Sequence, residues 1–253
     1  MSSEERAVPG VSSPLLLQQH INRYLFAATF AQGKIVLDAA CGSGYGAPIL
    51  IAGGACCYYG LDISAPTIKR ATELYSNSQH IHFAVDNVCQ LDTIKDRVID
   101  VVVSFETIEH VTDFEAMLGN IRRVLKPGGI LIISTPNCAF SAPQNTLETP
   151  PENEFHIREW NYAELLDLLS GHFEIHSVYG QEVTNKFKHS LRGFLMQCGL
   201  LPLVKKLKKL SIARGGTQPL SLIPPEFEQV QVKRLTPLAT AIYLIFVGVN
   251  TRS

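Results

Sequence analysis

The sequence lacks the features that would place the chain outside a cell or within a membrane. Its six cysteines include no C-x-x-C pair, and most lie in apolar runs, which favours buried, reduced thiols over disulfides. The opening residues, MSSEERAVPG, show no signal-peptide pattern. Apolar runs also stay shorter than the ~18 residues that a bilayer span needs. We therefore expect a cytoplasmic protein.

An excess of one charge is missing as well. The formal net charge is −1, with 46% hydrophobic and 18% charged residues, a composition typical of a globular domain. Nucleic-acid binding would favour a basic excess with interleaved aromatic side chains, and the basic run at 200–210 has no aromatic residue. The composition predicts no nucleic-acid partner.

Short runs of Val, Ile and Leu alternate along the chain with helix-like segments. Strands are expected at 35–37, 57–61, 81–85, 98–105, 130–134, 173–179 and 240–249. Helices are expected at 13–30, 47–52, 64–75, 113–125 and 161–169. Strands that are apolar on both faces are typical of a parallel sheet covered by helices, so the pattern predicts an α/β fold.

We expect one domain over residues 1–253. A cofactor-binding core would span 13–182, an insertion or cap 183–237, and the last strand 238–253. The loop at 137–158 and the insertion are long for connections in a compact domain, and such loops are usually functional or disordered. We interpret the insertion as a lid or substrate cap.

A glycine-rich turn, VLDAACGSGYG at 36–46, joins the first strand to the next helix. Glycine lets the backbone turn sharply and approach a ligand closely. The spacing is G-x-G-x-G, whereas the dinucleotide fingerprint is G-x-G-x-x-G. Asp38 precedes the turn, and its carboxylate would repel a pyrophosphate but suits a cationic ligand with an amino group. This favours a sulfonium amino acid over NAD.

Two more aspartates end the following strands. Asp62 could accept hydrogen bonds from both ribose hydroxyls, and Asp86 with the backbone after it could bind the adenine amino group. Open α/β sheets bind ligands at the carboxyl ends of their strands. We therefore expect the three carboxylates to share one site.

Five segments together resemble the class I S-adenosylmethionine-dependent methyltransferases. They are VLDAACGSGYG, the acidic end of GLDIS, VDN, SFETIEHV and RVLKPGGILIISTPN. The resemblance runs from about residue 20 to residue 181. It implies a Rossmann-like, seven-stranded, mostly parallel sheet with helices on both faces and an antiparallel last strand, to which the C-terminal insertion interpreted above would add a cap.

The resemblance also implies which residues bind S-adenosylmethionine. Asp38 and the turn glycines would line the methionine part, Asp62 would bind ribose, and Asp86 with the next residue would frame adenine. The segment HINRY is similar to an entry motif of one bacterial branch, whose tyrosine would close over the cofactor. The other expected cofactor-binding residues are Tyr24, Ala40, Gly42, Gly44, Tyr45, Ile63, Asn87, Val88, Phe105 and Glu106.

Two histidines are candidates for the chemistry. Methyl transfer requires the nucleophile to be oriented toward the methyl group, and a hydroxyl nucleophile gains from a general base, a role that suits histidine near neutral pH. We expect His110, just past the fourth strand, to act as a base or substrate ligand, unless it orders the loop with Glu106 or Glu109. His156 is the second candidate, with a surface turn or helix cap as its alternative role.

The remaining histidines are expected to be structural, and no His or Cys pair has the spacing of metal ligands, so no metal is predicted. These histidines are His20, His80, His82, His172, His176 and His189.

A lysine–leucine run, LLPLVKKLKKL, lies within the insertion. It is typical of a solvated helix face over an apolar underside. The alternative is a contact with the inner membrane face, which would suit a lipid-linked or polyprenyl-linked substrate. The lysines concerned are Lys205, Lys206, Lys208 and Lys209.

The sequence favours O-methylation of a small-molecule or glycan hydroxyl. N- or C-methylation is the nearest alternative, followed by a NAD-dependent oxidoreductase and by a cofactor-binding protein without turnover. The acceptor itself is not identified by any motif.

Overall fold

Eight strands form one sheet in the part of the chain that the computed structural model describes, residues 12–76, 78–141, 150–181, 227–230 and 241–251. The strands are β1 (Ile35–Ala39), β2 (Cys57–Asp62), β3 (Ile81–Val85), β4 (Ile99–Phe105), β5 (Leu125–Pro136), β6 (Glu174–Gln181), β7 (Phe227–Val230) and β8 (Tyr243–Val249). Their order across the sheet is β3-β2-β1-β4-β5-β8-β6-β7.

Helices connect most of these strands. They are α1 (Pro14–Ala28), α2 (Gly46–Ala52), α3 (Ala65–Tyr75), α4 (Phe114–Val124), α5 (Cys138–Ser141) and α6 (Tyr162–Ser170), with a 3₁₀ turn at Ile108–His110. Ser13 caps α1, because its Oγ accepts from Leu16 N over 3.2 Å. A capping box between Asn161 and Glu164 begins α6.

The predicted α/β architecture is confirmed. Strands β1 to β5 run parallel to one another, and β8 pairs antiparallel with both β5 and β6. The structure adds one strand to the seven expected, since β7 pairs antiparallel with β6 at the sheet edge. It comes from the segment interpreted as a cap.

Both faces of the sheet are buried, as the apolar strands predicted. Successive side chains of a strand point to opposite faces. In β4, accordingly, Val101 and Val103 pack with α1 and α2, while Val102 packs with α4 and α6. The core therefore lies in two layers, one on each side of the sheet.

The strand order reverses at β1, which lies between β2 and β4. Chain connections leave in opposite directions on the two sides of such a point, and this opens a crevice at the carboxyl ends of the strands. Asp38 and Phe105 lie at this edge. The topology thus places the expected site between β1 and β4.

Several expectations fall outside the described residues. They concern the lysine–leucine run at 200–210 and all of the 183–237 cap except 227–230. The division of the chain into core, cap and last strand stays a prediction. Over the described ranges, no helix combines the length and apolarity needed to cross a membrane.

Candidate active site

The turn after β1 exposes bare backbone at the carboxyl edge of the sheet. Gly42 has a φ of +53°, and a Cβ built on it would meet no atom of the described chain within 4 Å. Gly44 has a φ of +78°, but a Cβ there would lie 2.8 Å from Ala71 Cβ and 2.9 Å from the Phe83 ring. Gly42 therefore leaves room for a ligand, whereas Gly44 lets the turn pack tightly against its neighbours.

Asp38 is a buried carboxylate beneath this turn. Its Oδ2 accepts hydrogen bonds from the Tyr24 hydroxyl (3.0 Å) and the Tyr58 hydroxyl (2.8 Å). Its Oδ1 has no hydrogen-bond partner among the described residues. Burial raises the pKa of Asp38 to about 7, although the two tyrosine hydrogen bonds lower it, and the Asp62 charge raises it further. A positive charge nearby would stabilise the ionised form.

Asp62 links the first two strand ends. Its Oδ2 accepts from Gly42 N over 3.1 Å, and its Oδ1 accepts from Ser64 N over 2.9 Å. Since each carboxylate oxygen has two lone pairs, an oxygen that is bonded to an amide can also accept from a ligand hydroxyl. Asp62 is also part of a cavity wall, as the ribose-binding role requires.

At the end of the third strand, the carboxylate oxygens bond to the loop that follows the strand. Asp86 Oδ2 accepts from Thr93 N (2.8 Å) and Thr93 Oγ1 (2.6 Å), while Oδ1 accepts from Asn87 N (2.7 Å). Asn87 Oδ1 in turn accepts from Cys89 N. These side chains hold the loop after β3, and they do not line the cavity described below.

Glu106 follows β4 in a conformation that is rare for a side-chain-bearing residue, with a φ of +50°. Its amide donates to the Ser134 carbonyl oxygen (3.1 Å), and its Oε1 accepts from Ser134 Oγ (2.6 Å). The same oxygen lies 3.9 Å from Arg23 Nη1. Strained backbone of this kind persists where its surroundings fix it, often at functional sites.

Arg23 is a buried cation that the sequence reasoning missed. Its Nη1 donates to Gln181 Oε1 over 2.8 Å, and its guanidinium lies over the Tyr243 ring at 4.4 Å. Within the described ranges, its Nε and Nη2 have no hydrogen-bond partner. The available signal was the HINRY segment, whose resemblance to an entry motif was interpreted only for its tyrosine.

The two candidate histidines meet in space. His110 Nδ1 donates to the Phe155 carbonyl oxygen over 2.9 Å. His156 Nδ1 lies 2.7 Å from Glu159 Oε1, and its Nε2 lies 3.0 Å from Asn153 Nδ2. Because an amide nitrogen only donates, His156 carries its proton on Nδ1. The imidazole rings lie edge to face with centroids 4.9 Å apart.

Glu109 fixes this arrangement through its backbone. Its carbonyl oxygen accepts from Ile157 N over 2.7 Å and from Arg158 N over 3.3 Å. These bonds attach the loop that carries His156 to the turn that carries His110. They explain how two histidines far apart in the sequence come together.

The Glu109 side chain is fully buried beside the histidines. Its Oε2 accepts from Thr135 Oγ1 over 3.0 Å, while its Oε1 has no hydrogen-bond partner in the part of the chain described here. Burial, followed by the Glu106 charge, raises the pKa of Glu109 well above its ordinary value.

A cavity of about 280 Å³ lies between these elements. We call its two sides the glycine wall (residues 40–43 and Asp62) and the histidine wall (Glu109, His110 and His156). The other lining residues are Leu16, His20, Tyr24, Tyr45, Phe105, Glu106, Thr107, Pro136, Asn153 and Tyr243.

Both predicted catalytic histidines and seven predicted cofactor-binding residues line this cavity. The seven are Tyr24, Ala40, Gly42, Tyr45, Asp62, Phe105 and Glu106. Their roles toward ligands stay predictions.

Six predicted cofactor-binding residues do not line the cavity: Asp38, Gly44, Ile63, Asp86, Asn87 and Val88. Asp38 lies buried behind the Tyr24 hydroxyl, Gly44 packs against α3, and Ile63 is 68% exposed. His20, which was expected to be structural, also lines the cavity. Burial, and then the Arg23 charge, lowers its pKa well below the ordinary value.

The residues present fit S-adenosylmethionine, the cofactor that the resemblance implies. Gly42 offers backbone without a Cβ, and Asp62 offers carboxylate oxygens for a ribose. The Oδ1 atom of the buried Asp38, which has no hydrogen-bond partner among the described residues, suits a ligand with positive charge.

Comparisons with known proteins agree with this fit. The family model described as a methyltransferase domain matches residues 37–133. A probable S-adenosylmethionine-dependent methyltransferase of Mycolicibacterium smegmatis is 37% identical over 179 residues, 70% of this chain and 66% of that protein. A ubiquinone biosynthesis O-methyltransferase of Bradyrhizobium sp. is 36% identical over 107 residues, 42% of this chain and 41% of that protein. The chain thus spans less than two thirds of the length of either relative.

A solved structure shows the same fold. The S-adenosylmethionine-dependent methyltransferase from Mesorhizobium loti aligns with a TM-score of 0.55 and 16% identity, covering 87% of this chain and 92% of that one. At this identity the likeness concerns the fold alone.

Proposed function

This chain belongs to the class I S-adenosylmethionine-dependent methyltransferases, whose cofactor is S-adenosylmethionine, and from this premise we propose that it methylates a hydroxyl group of a small molecule or a glycan. The observation that carries the proposal is the cavity that the glycine wall and the histidine wall both line. A relative named as an O-methyltransferase supports a hydroxyl acceptor.

The glycine wall would hold the methyl donor. When bound, the cofactor supplies a methyl group on a sulfonium, ready for displacement by a nucleophile. The Gly42 backbone would contact it closely, and Asp62 would accept from its ribose while keeping its bonds to the Gly42 and Ser64 amides. Asp38 would favour its positive charge from below.

The histidine wall would receive the acceptor. His110 and His156 are the proposed catalytic residues because both rings line the cavity and are held by hydrogen bonds from outside it. An acceptor hydroxyl at this wall is oriented toward the methyl group and can lose its proton there. Orientation can contribute several kcal/mol, about 7–11 in the best cases, and proton removal about 10²–10⁴-fold.

Calorimetric titration of the purified chain tests the cofactor assignment. We expect saturable binding of S-adenosylmethionine and S-adenosylhomocysteine and none of NAD. Transfer of a labelled methyl group should then be measured with hydroxyl, amine and carbon acceptors. Turnover with hydroxyl acceptors supports the proposal, turnover restricted to amines or carbons corrects the acceptor class, and the absence of donor binding refutes the function.

The lysine run at 205–209 lies outside the described residues, and its contact with a membrane surface stays a proposal. Sedimentation with anionic vesicles at low salt tests it, because electrostatic attraction is strongest there. Failure to co-sediment would discard it.

A further inference from the structure

Three side chains that commonly bind metals converge on the histidine wall. Glu109, His110 and His156 each offer one ligand atom, and these atoms all lie within 4.8 Å of one another. We propose that these residues bind one divalent metal ion of the Zn²⁺ type beside the acceptor. The chemical role of the ion rests on the proposed function, whereas its binding can be tested alone.

The ligand types determine which ions fit. Two imidazoles and one carboxylate suit borderline first-row ions such as Zn²⁺, while Mg²⁺ and Ca²⁺ prefer oxygen ligands throughout. Catalytic zinc sites typically use three protein ligands and leave one position for water or substrate. The histidine wall has this composition, and it faces the cavity.

The outer hydrogen bonds of both histidines favour the same interpretation. Metal-binding histidines almost always donate their second ring N–H to a carbonyl or carboxylate oxygen. Here His110 Nδ1 donates to the Phe155 carbonyl over 2.9 Å, and His156 Nδ1 donates to Glu159 Oε1 over 2.7 Å. Both bonds put the imidazole lone pair on Nε2. The ion would replace Asn153 Nδ2 as the partner of His156 Nε2.

The Glu109 carboxylate supplies an independent observation. Its Oε1 is buried and, within the described part of the chain, has no hydrogen-bond partner, although Oε2 accepts from Thr135. A buried carboxylate oxygen without a partner is costly. A cation between Glu109 and the two imidazoles would remove this cost. The bond from Ile157 N to the Glu109 carbonyl oxygen, 2.7 Å long, already holds the loop in place.

The bound ion would act as a Lewis acid toward the acceptor. An acceptor hydroxyl on its open position becomes more acidic, because the cation stabilises the oxyanion. Because both imidazoles then bind the ion and cannot take the proton, the O–H bond breaks and the proton passes to water. The oxygen then bonds to the methyl carbon as the carbon–sulfur bond breaks, leaving S-adenosylhomocysteine. No electron is gained or lost, so a redox-inert ion suffices. The acceptor class is therefore a hydroxyl whose oxygen can reach the ion.

Titration of the EDTA-treated full chain with ZnCl₂ under reducing conditions tests binding without any turnover. We expect one Zn²⁺ per wild-type chain and affinity at least about 100-fold weaker in His156→Ala and Glu109→Gln. His172→Ala is the matched control, because His172 Nε2 also lies 2.7 Å from a carboxylate, Glu115 Oε2, away from the cavity. The His172→Ala variant should bind Zn²⁺ with the same affinity as the wild type.

Co²⁺ substitution separates this site from cysteine binding. A spectrum without sulfur-to-metal charge transfer supports nitrogen and oxygen ligands, and a thiolate spectrum contradicts the proposal. Wild-type protein that binds no Zn²⁺, or His156→Ala protein that binds it as tightly, would overturn it. Circular dichroism establishes that each variant is folded, and His110→Gln provides a second milder substitution.

S-adenosylhomocysteine binding should be measured on the same samples. Cofactor binding without zinc binding refutes the metal site and leaves the proposed function standing. Zinc binding without cofactor binding supports the metal site and refutes the proposed function.

Discussion

The two walls of the cavity are built in different ways. The glycine wall comes mainly from one turn, residues 40–43, and its key property is a left-handed backbone without a Cβ at Gly42. The histidine wall consists of side chains from two separate segments, joined by backbone bonds to the Glu109 carbonyl. Donor binding should therefore depend on backbone shape, and acceptor chemistry on the identity of side chains.

Removing the His110 imidazole should impair turnover at the histidine wall and leave donor binding unchanged. We expect His110→Ala to lower kcat by about 10²–10⁴-fold, because the acceptor loses an imidazole at the site of proton removal. Affinity for S-adenosylhomocysteine should stay within about twofold of wild type. Turnover assays and calorimetry on one preparation measure both effects. Full turnover in the variant would remove His110 from the chemistry.

A methyl group added at Gly42 should impair donor binding at the glycine wall. We expect Gly42→Ala to weaken donor binding about 10–200-fold, the usual effect of one extra methyl group in a pocket. Gly33→Ala is a matched control, since Gly33 also has a positive φ, +69°, and no atom of the described chain within 4 Å of a built Cβ. Both variants should lose stability, by about 1–2 kcal/mol.

Only Gly42→Ala should lose donor affinity in that calorimetric comparison. If Gly33→Ala weakens the donor equally, backbone strain rather than the shape of the glycine wall explains the loss.

Glu159 sharpens the comparison by acting through His156. Glu159→Gln removes the carboxylate that holds His156 Nδ1 at 2.7 Å. We expect kcat to fall about tenfold, with donor affinity unchanged, because partners behind a functional histidine orient its ring. Glu115→Gln, at the corresponding His172 pair, should have no effect on steady-state kinetics. An unchanged kcat in Glu159→Gln would show that His156 needs no such support.

The smallest expected effect is a pH dependence of donor binding. Asp38 has a pKa of about 7 in the folded chain and an ordinary value of 3.8. Its ionised form favours a positive ligand, so donor affinity should rise, by up to about tenfold, from about pH 6 to about pH 8. The profile should be flat in Asp38→Asn. A slope that persists in this variant would assign the titration to another group.

The same shift affects stability in the opposite direction. As pH rises from about 4 to about 7, the unfolded chain ionises Asp38 while the folded chain keeps its proton. The free energy of unfolding of the wild type, relative to Asp38→Asn, should therefore fall over this range and level off above it. Chemical denaturation across the pH range measures this difference.

The sheet and the glycine wall could be predicted because their signals are local. Apolar strands buried on both faces indicated a parallel sheet, and contiguous residues at 36–46 encode the turn. The additional strand, β7, could not be predicted in this way. Its sequence, FEQV, is short and half polar, and it forms only because the edge of β6 offers a partner.

The histidine wall could be predicted only in part. His110 and His156 were found by residue type, but nothing in the sequence places Glu109 and His110 beside His156, since tertiary bonds bring the two segments together. The sequence spacing of His and Cys, from which no metal was predicted, therefore could not test for a metal site formed in this way. The position of Asp86 suggested adenine binding, which stays a prediction, whereas the hydrogen bonds of its oxygens to the following loop could not be predicted from the sequence.

A crystal structure with S-adenosylhomocysteine tests most directly the claim that donor and acceptor meet between the two walls. We expect the ribose hydroxyls to lie within hydrogen-bond distance of Asp62, with the sulfur directed toward His110 and His156. A ligand bound outside this cavity, or one with its sulfur turned away from the histidine wall, would contradict the account.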